Sequence, residues 1–297
     1  MSALADFRAE LVERGWLLVD RDGLVAGTGD PLERVVAGLV AAIDDVSAQA
    51  GRPVQRVRFA PVTGQQLLEQ TGYHTSFPQL IGVVHGLPRD ASARRRVPEG
   101  EAWDHDFGRS GFGLVPSACH PLYAWLRGTQ VTGTAYTLTG DCFRNEPSED
   151  PFRRVSFRMR EVVVLGTPAQ AREHQRVWRS AGLALYRSLG LQVHDAAAND
   201  PFFGRQGAML ANNQRDEQLK FEFVVEPVPG HEVAIGSANY HEDHFGVDFA
   251  MTTPDGQPAH SACYGMGLER TALALAATHG FDPGRWPDEV RVALRLS

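Results

Sequence analysis

The apolar positions along the chain follow two different periods. A period near 3.6 residues marks the buried stripe of a helix, and it predicts helices over residues 3–14, 31–50, 168–189 and 268–279. Alternation with period two, or a short apolar run between turn residues, predicts strands over 54–59, 136–138, 157–165, 219–225, 232–238, 245–251 and 260–264. Many strands with few helices between them indicate an α+β fold, an antiparallel sheet flanked by helices, rather than a doubly wound parallel sheet.

Turn residues mark the breaks between these elements. Residues 20–23, Asp-Arg-Asp-Gly, separate short apolar runs at 16–19 and 24–26 and predict a hairpin, because Asp-Gly readily adopts the positive φ of a tight turn. Residues 86–112 are rich in Pro, Gly, Arg and acidic residues, and we expect an exposed loop there.

Composition narrows the class of protein. The chain has 297 residues, of which 43% are hydrophobic and 22% charged, as in ordinary globular proteins. It has no apolar run of about 18 residues that could span a membrane. The polar N-terminal stretch lacks the basic and apolar regions of a secretory signal, so we expect a cytoplasmic protein.

Net charge and cysteine content narrow the possible functions further. The formal net charge is −7, whereas a protein that grips nucleic acid usually presents a basic surface to the phosphates. The dense basic run Arg94-Arg95-Arg96 is too short for such a surface and is typical of a solvated loop. Three widely spaced cysteines, an odd number, argue against a disulfide framework and leave metal ligation open.

Residues 142–161 form the first segment with candidate chemistry. A hairpin there would put Arg144 and Glu146 on one strand face, and Phe157 and Glu161 on one face of the returning strand. Arginine suits an α-phosphate, a carboxylate can accept from the adenine amino group, and a flat aromatic ring can stack on the base. A structural hairpin with ion pairs and a core phenylalanine is the alternative for this segment alone.

Residues 263–270 form the second segment. Gly265 and Gly267 stand at a predicted strand-to-helix junction, and Arg270 falls in the first helical turn, where it could reach a polyphosphate. Taken alone, this pattern is more typical of a capped helix start.

Together and in this order, the two segments resemble motifs 2 and 3 of class II aminoacyl-tRNA synthetases. Motif 2 of that family reads Phe-Arg-x-Glu, a variable loop, then Arg/His-x-x-x-Phe-x-x-x-Glu/Asp. The chain matches it at Phe143-Arg144-x-Glu146 and Arg153-x-x-x-Phe157-x-x-x-Glu161. The helix over 31–50 and the strand ending at Pro61 occupy the place of motif 1, which forms the dimer interface, so the resemblance implies a homodimer.

The cysteines connect the chain to one branch of that family. A zinc site made by Cys119, Glu161 and Cys263 is similar to that of the atypical, methanogen-type seryl-tRNA synthetases and their small relatives. Three protein ligands leave tetrahedral zinc one open position, which in that family takes the amino group of the substrate. Three unrelated buried side chains are the alternative. We interpret Cys142, the remaining cysteine, as a core thiol.

Four further stretches resemble the amino acid:[carrier protein] ligases, truncated homologues of the atypical seryl enzymes. They are residues 76–82, 198–205, 219–222 and 239–246. The resemblance spans roughly residues 75–280 and implies loading of an amino acid, through its adenylate, onto the phosphopantetheine thiol of a carrier protein. We therefore expect a single catalytic domain over 1–297, with the motif-1-like element in 1–60, the catalytic core in 114–285 and no tRNA-binding domain.

The resemblance also implies a role for individual residues. Phe157 and Glu146 would hold adenine, Arg144 the α-phosphate and Arg270 the terminal phosphate, with help from Arg153 or Arg154. Other side chains are predicted to hold magnesium (Glu222) or the amino acid (Glu161, Arg205 and Asn239). His241 and His244 would contact the pocket or the carrier, or lie on a plain surface.

Three other functions stay open at this point. They are a true aminoacyl-tRNA synthetase, a non-catalytic paralogue, and a structural zinc protein without ATP chemistry. A small pocket around zinc favours glycine, alanine or serine as the substrate.

Overall fold

A computed structural model describes residues 2–21, 25–49, 54–87, 107–198 and 218–296. The helices, in chain order, are α1 Ala3–Glu13, α2 Asp30–Gln49, α3 Gln65–Gln70, α4 Tyr73–Ser76, α5 His120–Trp125, α6 Pro168–Ser188, α7 His244–Asp248, α8 Leu268–His279 and α9 Asp288–Ala293. The strands are β1 Leu17–Val19, β2 Val25–Thr28, β3 Val54–Val57, β4 Val62–Gly64, β5 Val83–Gly86, β6 Gly108–Leu114, β7 Ala135–Phe143, β8 Ser156–Gly166, β9 His194–Ala197, β10 Lys220–Val228, β11 His231–Tyr240 and β12 His260–Gly267.

A seven-stranded sheet in the order β3-β7-β8-β12-β11-β10-β9 forms the centre of the molecule. Its neighbours pair antiparallel except β3 and β7, which run parallel. The predicted α+β fold is confirmed, with the correction that the sheet is mixed at one edge. Strands β4-β6-β5 form a separate small sheet, and β1 pairs with β2 as the predicted hairpin.

The two faces of the large sheet carry different partners, because alternate residues of a strand point to opposite sides. On the front face, Phe157, Met159 and Val163 of β8 pack with aromatic residues of α5 and α7. On the rear face, Val162 and apolar residues of β10 to β12 form the larger core with α2, α6 and α8. Short helices and loops thus cover the front face.

Local sequence explains how the long rear helices begin and pack. Thr167 and Gln170 form a reciprocal capping box at the start of α6, with Pro168 in its first turn. Gly38 lets α2 approach the C-terminal segment, since a Cβ there would lie 2.2 Å from the carbonyl oxygen of Leu294. No helix in the described ranges is long and apolar enough to cross a membrane.

Two predicted elements were wrong. Residues 245–251, predicted as a strand, contain α7 instead; Phe245 and Phe249 lie one helical turn apart and are both buried, whereas Val247 between them is 58% exposed. The predicted loop over 86–112 includes most of β6, whose exposed, glycine-containing sequence hides its strand character. Residues 88–106, including Arg94-Arg95-Arg96, lie outside the described residues.

Candidate active site

Two cysteine thiols and one glutamate carboxyl group lie together at the centre of the front face. Cys119 immediately precedes α5, Glu161 lies in the middle of β8, and Cys263 lies on β12. The β12–β8 register pairs Gly265 with Glu161 and Cys263 with Val163, so Cys263 lies diagonally beside Glu161 on the same face. All three side chains are buried, with at most 4% of each residue exposed.

Polar neighbours surround this cluster on the side of Cys263. Asn239 donates its side-chain N–H to the Sγ of Cys263 at 3.2 Å, and the Nε2 of His241 lies 3.6 Å from the same sulfur. The hydroxyl of Ser117 contacts the Sγ of Cys119 at 3.4 Å. In contrast, the Oε2 atom of Glu161 is buried without any hydrogen-bond partner.

Burial and mutual proximity disfavour the charged forms of the cluster side chains. The hydrogen bond with Cys263, and then burial, raise the pKa of the Cys119 thiol. Burial, and then the neighbouring Cys119, raise the pKa of Glu161. As they stand, no three or more His, Cys, Asp or Glu side chains among the described residues are arranged to hold a metal ion. The zinc site therefore stays a prediction.

The predicted nucleotide residues lie at the end of β7 and the start of β8. The strand β7 ends at Phe143, so Arg144 and Glu146 lie in the following loop and not on a strand face as predicted. The backbone N–H of Arg144 still donates to Val155 at 2.8 Å, and its guanidinium lies 5.3 Å from the centre of the Phe157 ring.

Arg270 is near these residues, in the first turn of α8 as predicted. Its Nε donates to the carbonyl of Phe152 at 2.8 Å and one terminal nitrogen to that of Ala234 at 3.1 Å. Burial, and then the charges of Arg144 and Arg153, lower the pKa of Arg270. Several cations therefore share one region, which an anion would stabilise.

The structure separates the two candidate helper arginines. Arg153 is exposed and pairs with Glu146 at 3.3 Å. Arg154 interacts instead with Glu33, Arg158 and Glu269, and its terminal NH1 is buried without a partner. These last four residues line part of a cleft of about 960 Å³ that also borders the β1–β2 hairpin.

Glu222 and Asn239 lie on neighbouring strands of the front face. Glu222 of β10 pairs in register with Ser237 of β11, and its carboxylate is 3.0 Å from the ammonium of Lys220. Asn239 also donates to the hydroxyl of Ser237 at 3.0 Å. Arg205, the third predicted contact to the amino acid, lies outside the described residues.

No role is predicted for His120 from the sequence, and His241 is predicted to contact the pocket or the carrier, or to lie on a plain surface, yet both lie near the cysteine cluster. His120 is buried, its Nδ1 has no partner, and burial followed by the charge of His241 lowers its pKa to about 3. His241 contacts the cluster, whereas His244 is half exposed and pairs with Asp248. The position of His120 next to Cys119 could have indicated that it lies near the cluster. Nothing in the local sequence pattern, however, separates a buried from an exposed imidazole.

Known proteins resemble the chain over nearly its whole length. Amino acid–[acyl-carrier-protein] ligase 1 of Bradyrhizobium diazoefficiens is 37% identical over 302 residues, which cover 99% of this chain and 91% of the relative. The chain belongs to the amino acid–[acyl-carrier-protein] ligase family. Ligase 2 of the same organism is 38% identical over 279 residues, covering 88% of this chain and 83% of its own.

Solved structures give the fold of this ligase family member. The seryl-tRNA synthetase of Methanopyrus kandleri, in complex with Aquifex aeolicus tRNASec, superposes with a TM-score of 0.79 at 20% identity. The match covers 97% of this chain and 60% of the synthetase chain. The class II synthetase fold and the predicted family are therefore confirmed. No family model matches the sequence.

Proposed function

We propose that this enzyme activates a small amino acid with ATP and transfers it to the phosphopantetheine thiol of a carrier protein. One observation carries the proposal. Arg144, whose guanidinium lies over the Phe157 ring, and Arg270 are 126 positions apart in the chain yet close enough for their charges to interact, in a protein whose relatives are carrier-protein ligases over most of their length.

The contact between Arg144 and Phe157 suggests how ATP enters. The guanidinium of Arg144 covers the Phe157 ring at 5.3 Å, which is the surface that adenine would use. We infer that adenine replaces the guanidinium on the ring, and that Arg144 then turns to the α-phosphate. Glu146 would accept from the adenine amino group, and Arg270 would hold the terminal phosphate. The position of Arg153 beside Glu146 favours it over Arg154 as the helper.

The residues at the cysteine cluster fit a zinc ion. Two thiols and a carboxylate are a donor set that zinc prefers, and the buried Oε2 of Glu161 has no other partner. When bound, zinc would supply an open position for the substrate amine. Asn239 and His241 both lie within 3.6 Å of the Cys263 sulfur and would then orient this thiolate as a zinc ligand.

The chemistry follows in two displacements. A carboxylate oxygen of the amino acid attacks the α-phosphorus of ATP, and pyrophosphate leaves as the aminoacyl adenylate forms. The pantetheine thiolate then attacks the carbonyl carbon of the adenylate, forming a thioester and releasing AMP. The protein would contribute mainly position and positive charge at the phosphates. Magnesium would accompany ATP, and Glu222 becomes available to it if Lys220 moves aside.

The space beside Glu161 supports a small substrate. Gly265 faces Glu161 across the strand pair, and a Cβ at that glycine would already lie 3.0 Å from the Cε of Met159. The packing of Met159 around this glycine favours a small side chain next to the cluster. Glycine, alanine and serine are the proposed substrates.

Aminoacylation of tRNA is the second candidate, since the fold neighbour from M. kandleri is in complex with a tRNA. The test has two stages. ATP–pyrophosphate exchange with each of the twenty amino acids identifies the substrate, and we expect activity with one or more of the three small ones. Labelled amino acid is then offered to a holo carrier protein, to the same carrier without phosphopantetheine, and to total tRNA.

We expect loading of the holo carrier alone. Efficient charging of tRNA with no loading of any holo carrier from the same genome would refute the carrier proposal. An absence of exchange with all twenty amino acids would refute activation itself.

A further inference from the structure

Arg158 joins three separate elements on the rear face of the sheet. Its Nε donates to Oε1 of Glu269 at 2.7 Å, and its two terminal nitrogens donate to the carboxylate of Glu33 at 2.7 and 2.8 Å. Glu33 belongs to α2, Arg158 to β8 and Glu269 to α8. One side chain therefore connects the elements that carry the motif 1, motif 2 and motif 3 segments.

The backbone takes part in the same connection. The main-chain N–H of Arg158 donates to Oε2 of Glu269 at 2.8 Å. That peptide group links Arg158 to Phe157, whose ring lies on the front face. Glu269 is likewise followed directly by Arg270. The proposed adenine-stacking residue and the proposed terminal-phosphate residue are thus each one residue away from this carboxylate contact.

The contact is strong enough to hold a fixed distance. Glu269 is almost fully buried, with 5% of its side chain exposed, and both its oxygens accept hydrogen bonds from Arg158. The hydrogen bond from Arg158 lowers the pKa of Glu33, so this carboxylate favours the ionised form. Bidentate, charge-assisted pairs of this kind fix geometry as well as contributing energy.

We propose that Arg158 is a positioning residue for ATP: it sets the separation of Phe157 and Arg270 from the rear of the sheet. The inference rests on the proposed function of these two residues. The side chain of Arg158 points to the opposite side of β8 from that of Phe157. Its guanidinium is held there by Glu33 and Glu269. Its loss shifts β8 against α8, so the adenine ring and the terminal phosphate can no longer be held together.

The test compares variants by steady-state pyrophosphate exchange and by direct binding of a non-hydrolysable ATP analogue. The variants are Arg158→Ala, Arg158→Lys and Glu33→Gln. Arg295→Ala is the matched control, because Arg295 also makes a two-oxygen pair with a carboxylate of α2, that of Asp45, but at the far end of the helix. Thermal unfolding midpoints are recorded for every variant.

We expect Arg158→Ala to lower kcat/KM for ATP by about 10-fold or more, with a raised KM for ATP, since displacements near 1 Å can cost about 100-fold in rate. The KM for the amino acid should stay close to that of the wild type. Arg158→Lys, which keeps one charged donor, should recover part of the loss. The control should leave both KM values unchanged even if its unfolding midpoint falls.

Unchanged ATP KM and analogue affinity in Arg158→Ala, together with a lowered unfolding midpoint, would mean a purely structural role and overturn the inference. If Arg158→Ala does not fold, the same outcome in Arg158→Lys and Glu33→Gln overturns it. Exchange by the wild type is measured first, because its absence would refute the proposed function and not the role of Arg158.

Discussion

Cys119, Glu161 and Cys263 reach one point of the front face from three different elements. None of them is close to another in sequence, so only the register of β12 on β8 and the approach of the loop before α5 bring them together. Cys142 is equally buried and also lies on the front face, yet its thiol donates only to the carbonyl of Gly140, at 3.9 Å. Cys142 is therefore a buried control for the two cysteines of the cluster.

At the residue scale, we predict that the purified protein carries one zinc per chain. Cys119→Ala and Cys263→Ala should each lose most of it, because two remaining protein ligands hold zinc poorly. Cys142→Ala should retain a full equivalent. Elemental analysis after desalting without chelator measures all three. Wild-type protein with far less than one equivalent and full activity would contradict the zinc proposal.

Sequence patterns predicted the motif residues better than their immediate partners. Phe157, Glu161 and Arg270 lie on the predicted elements because alternation and helix-start signals are local. Arg153 and Arg154 are adjacent and chemically identical, so no local pattern could say that one points to Glu146 and the other to Glu269. The burial of His120 and the contact of His241 with Cys263 likewise depend on tertiary packing.

At the scale of elements, the same distinction holds. Long helices with a clear apolar stripe, such as α2 and α6, begin and end within one or two residues of the predicted bounds. The prediction for the short helix α7 was wrong, because an alternating apolar run of five residues fits a strand as well as one helical turn. The stacking of Phe245 on Tyr123, with ring centres 4.1 Å apart, favours the helical period over the strand period here.

The packing of α2 on the C-terminal segment gives a prediction about Gly38. Replacing a helical glycine by alanine normally stabilises by about 1 kcal/mol. Here the added Cβ would lie 2.2 Å from the carbonyl oxygen of Leu294, so we expect Gly38→Ala to destabilise the protein by about 1–3 kcal/mol. Urea unfolding measures the change.

The control for this substitution is Gly64→Ala. Gly64 has a negative φ of −64°, and no atom lies within 4 Å of the place that an added methyl group would take. We expect its unfolding midpoint to match the wild type. Gly38→Ala protein that is as stable as Gly64→Ala would show that α2 can move away from the C-terminal segment at little cost.

At the scale of the whole molecule, we predict a two-fold homodimer. The α2 helix and β3 resemble motif 1, and β3 is an edge strand of the large sheet whose outer side has no pairing strand among the described residues. Exposed Val62 and Phe112 of the small sheet add apolar surface that association could bury. Light scattering at micromolar concentration should give twice the chain mass of 32.5 kDa. A mass equal to one chain would refute the dimer.

The parallel pairing of β3 with β7 also has a consequence for the order of folding. Every other neighbour pair in the large sheet is antiparallel, and β7–β8 and β10–β11 are joined by short connections that close at little entropic cost. The parallel pair can form only after residues 58–134, which include α5 and the approach to Cys119, have returned along the sheet. Contacts of such high sequence separation form slowly. The antiparallel pair β8–β12 closes across residues 167–259, a still longer span. The locally connected strands β7–β8 and β9–β12 would therefore assemble first, and the two long-range pairings, which complete the cysteine cluster, would follow.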